Sequence, residues 1–103
     1  MPAAVCIFVF FLLAAFAQTK ADPSKGGDVF SDHCFTCHDP FSSKIKIGPG
    51  LKGVKDGKLP SGRPATHDTI LSVINAGVDE MPPFKDKLTS QEKEDVIAYV
   101  MSL

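Results

Sequence analysis

Cys34-Phe35-Thr36-Cys37-His38 is the stretch on which the reading of this chain turns. It is a C-x-x-C-H run, the attachment signature of a c-type haem. Two cysteines separated by two residues can add their sulfurs to the two vinyl groups on one edge of a porphyrin. The histidine that follows can then place its imidazole on the iron from the proximal side. Attachment needs both thiols and the adjacent ligand, so the five residues form one chemical unit. A pattern this short also serves zinc sites and redox C-x-x-C pairs, and the rest of the chain has to decide among them.

The chain has 103 residues, the length of a single domain. Met1 to Ala17 carry no charged side chain, and Val5 to Phe16 form an apolar run rich in phenylalanine. A membrane span takes about 20 apolar residues, so this run has the length of a signal-peptide core instead. Ala15-Phe16-Ala17 reads as a small-x-small cleavage site, and Thr19-Lys20-Ala21 as a second that cuts before Asp22. The expectation is a signal peptide over residues 1–17, with cleavage alternatively at 21, and one domain over 22–103. The leader's first residues include no Lys or Arg, and an uncleaved anchor is the alternative.

Loss of the leader leaves roughly 80 to 86 residues, a size at which domains often need a disulfide, a metal or a cofactor as a staple. Cys6 leaves with the leader, and the remaining Cys34 and Cys37 stand too close to staple a fold as a disulfide. A bulky apolar haem would supply the missing core. The formal net charge of −1 excludes a generally basic nucleic-acid binder.

Helical spacing organises both ends of the domain. A helix starting near Ser24 or Lys25 runs to the cysteines after a polar connector, Gln18 to Ser24, and places Gly26, Phe30 and Cys34 on one face. Asp39 to Pro64 hold five glycines and four prolines, which argues for loop. A free loop that long is unusual in a small domain, and wrapping around a cofactor would account for it. A second helix is expected over His67 to Ala76, capped by Thr66 and closed by Gly77, with Ile70, Leu71, Val73 and Ile74 as its buried side. Asp79 to Phe84 cannot be helical, because Pro82 and Pro83 bias their predecessors to extended backbone. Thr89 and Glu92 make a capping box for the last helix, whose apolar stripe is Val96, Tyr99, Val100 and Leu103. No strand-period segment stands out, and the expected fold is all-α.

A six-coordinate haem needs a second axial ligand opposite His38. Met81, Met101, His33 and His67 are the candidates. Met81 lies 43 positions after His38, far enough for the chain to pass around the porphyrin edge. It precedes two prolines that fix the local backbone, and a loop methionine in that setting is hard to explain as core. Met101 sits on the last helix as a packing or exposed residue. His33 is next to Cys34 and cannot reach the opposite face, and His67 reads as a solvated first-turn residue. Met81 is the expected ligand.

With these residues in place the chain resembles the class I monohaem cytochromes c, particularly the small bacterial ones. Four motifs carry the resemblance in the family's order, from about Ser24 to Leu103: Gly26-x-x-x-Phe30-x-x-x-Cys34, Cys34-x-x-Cys37-His38, Gly48-Pro49-x-Leu51, and Met81-Pro82-Pro83-Phe84. The resemblance implies a small cytochrome c fold, three to four helices and loops wrapped around one covalently bound haem c. In it, Cys34 and Cys37 form the thioethers, His38 and Met81 are the axial ligands, and the Pro49 carbonyl accepts a hydrogen bond from His38. The first helix packs on the last, with Gly26 and Phe30 meeting Val96 and Tyr99. Metal-bound imidazoles usually give their other N–H to such an acceptor, which fixes orientation and basicity. Arg63, the sole arginine, is the candidate partner for a propionate.

Methionine ligation favours ferrous iron and raises the reduction potential, and two filled axial positions leave none open for a substrate. The expected function is therefore electron transfer between Fe(III) and Fe(II), with no catalytic residues, by a monomeric protein exported to the periplasm of a Gram-negative bacterium. Its partners would be a redox donor and acceptor, with a membrane involved only if the leader stays uncleaved. Lys44, Lys46, Lys52, Lys55, Lys58 and Arg63 stand against Asp56 across the middle segment, a distribution that would steer an acidic docking surface toward the haem edge. The alternatives are a dedicated haem c subunit of a larger oxidoreductase complex and a ligand-binding haem sensor. A thioredoxin-like protein would need a βαβ pattern near Cys34, which the sequence lacks.

Overall fold

A computed structural model describes residues 20–103; the expected leader, apart from its second cleavage site, lies outside them. Three α-helices carry the fold: α1 over Pro23–His33, α2 over His67–Ala76 and α3 over Ser90–Met101, with a single 3₁₀ turn over Val54–Asp56. Among the described residues there is no strand, only the isolated bridges His38–Ile45, Lys58–Pro64 and Val78–Met81. Nor is any helix among them long and apolar enough to cross a membrane.

The first helix begins at Pro23, one or two residues before the start that its periodicity suggests. Asp22 is the N-cap, its carboxylate accepting from the backbone of Ser24 and Lys25, and Pro23 is the first helical residue rather than part of a connector. Proline suits that position because its missing N–H would have no helical partner there. The other two boundaries match their caps. Thr66 accepts from Thr69 N, Gly77 closes α2, and Thr89 and Glu92 form a reciprocal capping box.

α1 crosses α3 closely at Gly26. A side-chain carbon there would collide with the carbonyl of Asp95 and stand 2.9 Å from Cβ of Tyr99. Four residues on, Phe30 is buried and its ring tilts against Tyr99 with centroids 5.3 Å apart. The stripe on α3 is broader than the spacing suggests. Ile97 is as deeply buried as Val96, whereas Tyr99 and Leu103 are only partly covered. On α2, Ile70 and Ile74 enter the core, while Leu71 and Val73 stay half-buried. Buried Asp95 accepts from the backbone N–H of Asp22 at 2.8 Å and from Gln91 Nε2 at 2.7 Å, so it ties the start of α1 to α3.

Candidate functional site

The C-x-x-C-H run continues the chain directly from α1. Cys34 caps the helix, its N–H bonded to the Phe30 carbonyl, and its own carbonyl accepts from Cys37 N at 3.1 Å and His38 N at 2.9 Å. This turn brings both sulfurs and the imidazole to the wall of one cavity of about 690 Å³. That volume lies in the range of roughly 300–1,000 Å³ usual for cofactor sites. Apolar side chains from every helix line it, among them Phe30, Ile70, Ile74, Val96 and Val100, together with Leu51 and Leu59 from the long loop.

His38 is fixed from two sides. Its Nδ1–H donates to the Pro49 carbonyl at 2.8 Å, which leaves the Nε2 lone pair free to bind a metal. Gly48 provides the space for the ring, since a Cβ there would stand 2.6 Å from His38 Cε1. The loop that presents these residues is built by local bonds. Asp39 accepts from Phe41 N and Ser42 Oγ, Gly48 N donates to the Cys37 carbonyl, and Leu51 N donates to the Asp39 carbonyl. The bonds from Phe41 and Ser42 hold the Asp39 carboxyl below its ordinary range.

Burial pushes the Cys34 thiol up to about 11, with the neighbouring Cys37 adding to the shift. A redox C-x-x-C pair needs the opposite, a lowered thiol pKa that supplies thiolate near neutrality. Among the described residues the surroundings of the pair are all-α, without the βαβ pattern of a thioredoxin-type centre.

Met81 lines the same cavity from the loop after α2, as Arg63 does from the middle segment. Of the other candidate ligands, Met101 and His67 lie off the cavity wall, and His33 stands on it. Met101 is exposed on α3. His67 is a partly exposed first-turn residue as expected, and it is also bonded through Nδ1 to Asp68 at 3.0 Å and through Nε2 to Glu94 at 2.8 Å, joining α2 to α3. His33 borders the cavity beside Cys34, edge-on to the Phe84 ring at 6.3 Å. Sequence reasoning did not single out Gly48 as the space for the imidazole; its place directly before Pro49 was the available signal.

Two thiols, one oriented imidazole and an apolar enclosure are the groups and environment that a covalently held haem requires. The class so defined is a small all-α protein with one haem c joined through its C-x-x-C-H motif. A family model described as cytochrome c oxidase, cbb3-type, subunit III matches residues 21–100. Cytochrome c6 of Thermostichus vulcanus is 33% identical over 98 residues, covering 95% of this chain and 82% of that protein. The solved structure of cytochrome c6 from the diatom Phaeodactylum tricornutum is 27% identical, covers 80% of this chain and 93% of its own, and superposes with a TM-score of 0.64. The cytochrome c subunit of the cytochrome bc1 complex of Corynebacterium efficiens is 35% identical over 82 residues, which are 79% of this chain but 26% of that protein. The chain belongs to the c-type cytochrome family. It is a monohaem electron-transfer protein, not an enzyme, and its partners are redox proteins.

Proposed function

We propose that the protein is a free electron carrier, exported and soluble in the periplasm, in which Cys34 and Cys37 would form the thioethers to the haem and His38 and Met81 would hold its iron. The haem, when bound, supplies one-electron Fe(III)/Fe(II) chemistry. The convergence of these four residues and Pro49 on one apolar cavity is the observation that carries this reading. Cys34 and Cys37 tether the cofactor, and the Pro49 carbonyl keeps the His38 ring oriented and its Nε2 basic. The Met81 thioether favours the ferrous state. Phe30, Leu51, Ile70, Ile74, Val96 and Val100 exclude water, which limits rearrangement when the charge on the centre changes. In this reading Met1–Ala17 is the export signal, cut at 17 or 21, the domain spans 22–103, and Arg63 faces a propionate.

The partner surface fits the same account. Phe35, Ile45 and Ile47 are exposed large apolar residues in and just after the haem-attachment motif, and Ile47 lines the cavity. Lys46 reaches over the Phe35 ring at 4.1 Å and donates to the Phe35 carbonyl at 3.0 Å, and Lys44 and Lys52 lie nearby in the chain. An acidic partner with an apolar centre is the complement of such a face.

A second reading, a fixed subunit of a respiratory complex, draws on the match to the oxidase-subunit family model and to the bc1 cytochrome c subunit. Purification of the exported holoprotein separates the two. A free carrier elutes alone and gives the pyridine haemochrome spectrum of haem c, with an intact mass of one haem on a chain lacking its leader. Co-elution with a stoichiometric complex would establish the subunit, and absence of covalent haem would defeat both readings.

A further inference from the structure

We propose that Gly77 is a positioning residue for Met81, setting where the thioether stands in the cavity; the proposal rests on the reading of Met81 as axial ligand. The chain leaves α2 at Gly77, whose N–H donates to the Val73 carbonyl at 2.8 Å. Its backbone, φ 70° and ψ 172°, falls in a region that is essentially glycine's alone. The next residues fold back at once. Val78 N donates to the Met81 carbonyl at 3.2 Å and Met81 N to the Val78 carbonyl at 2.9 Å, with Asp79 at φ 51° inside the turn. Beyond the methionine, Phe84 N donates to the Ile74 carbonyl at 2.8 Å, so both ends of the loop are pinned to α2.

The turn packs directly on the α-carbon of Gly77. A Cβ there would collide with the Met81 carbonyl oxygen and stand 2.9 Å from both Pro82 C and Pro83 N. All three are backbone atoms, and the two prolines have fixed φ, so the loop cannot yield by a small local rotation. Relief has to come from moving the whole turn away from α2, and Met81 moves with it. A ligand held more than about 0.5 Å from its productive place no longer makes its bond well. Gly62 offers an internal comparison. It also has positive φ, 86°, but nothing lies within 4 Å of its Cβ position. Alanine at 62 thus introduces the backbone strain without the collision.

The test uses covalently loaded, oxidised holoprotein: wild type, Gly77→Ala, Gly62→Ala and Met81→Ala. The readouts are the weak far-red absorption band expected of methionine–Fe(III) ligation in this family, the midpoint potential, and the affinity of added imidazole for the ferric iron. Wild type and Gly62→Ala are expected to keep the band. Gly77→Ala is expected to lose about half of it or more, to fall in midpoint potential, and to bind imidazole about tenfold more tightly as the methionine-bound fraction drops. A Gly77→Ala protein with the band, potential and imidazole affinity of wild type would overturn the proposal. Failure of Gly77→Ala to yield holoprotein where Met81→Ala succeeds would also overturn it, because Gly77 would then act in folding and not through the ligand. Absence of the band from wild type would remove the reading of Met81 itself, visible before any substitution is compared.

Discussion

His67 opens α2 away from the cavity and spends both ring nitrogens on carboxylates, Asp68 beside it and Glu94 on α3. Its pKa is raised above 6.5, first by the hydrogen bond to Asp68 and then by that to Glu94. A histidine raised in the folded state adds stability that is fully present below its unfolded pKa and is lost as pH rises through its folded one. Side-chain exposures of 44% and 38% leave the His67–Glu94 pair well solvated, so its contribution is under about 1 kcal/mol. Urea unfolding of wild type and His67→Ala checks this. The wild type is expected to be the more stable at about pH 5, with the gap closing by about pH 8; a gap that widened with pH would contradict the assignment. This pairing was invisible in the sequence, where Glu94 stands 27 residues away from His67. The place of Met81 in a loop, by contrast, follows from a local signal, because Pro82 and Pro83 remove it from any helix.

Helix boundaries and faces were legible wherever a local rule acts alone. Thr66 and Gly77 bracket α2, Thr89 and Glu92 start α3, and all four occupy the roles that their spacing suggests. The start of α1 lies one or two residues before the expected one because Asp22-Pro23 reads equally as a linker, whereas in the fold Asp22 caps the helix and its N–H docks on Asp95. Ile97 falls outside the expected stripe of Val96, Tyr99, Val100 and Leu103, yet it is buried as a member of the core. At the α1–α3 crossing Phe30 is 2% exposed and packed on Tyr99. Phe30→Ala is expected to cost about 3–5 kcal/mol, from lost burial and the cavity left behind. Denaturant unfolding of the holoprotein measures it, and a loss under about 1 kcal/mol would mean that the crossing is held by something else.

Over residues 20–103, side chains from the three helices and from the long middle loop together line the cavity. The fold class followed from periodicity and from the missing strand pattern. The path of residues 39–64 did not, because its turns are set by contacts such as His38 with Pro49 and Gly50 with the Ser42–Lys44 backbone. Lys44, Lys46, Lys52, Lys55 and Lys58 of that loop are all exposed, in a chain of net charge −1. Electron transfer to an acidic partner is therefore expected to slow as ionic strength rises toward about 0.15 M, where the Debye length is about 8 Å. Stopped-flow rates independent of salt would rule out this steering. The central claim is a closed site in which His38 and Met81 together saturate the iron. The most direct test is the far-red band of oxidised Met81→Ala holoprotein compared with wild type, His67→Ala and Met101→Ala. The account predicts the band in all but Met81→Ala; a Met81→Ala protein that kept it would contradict the assignment.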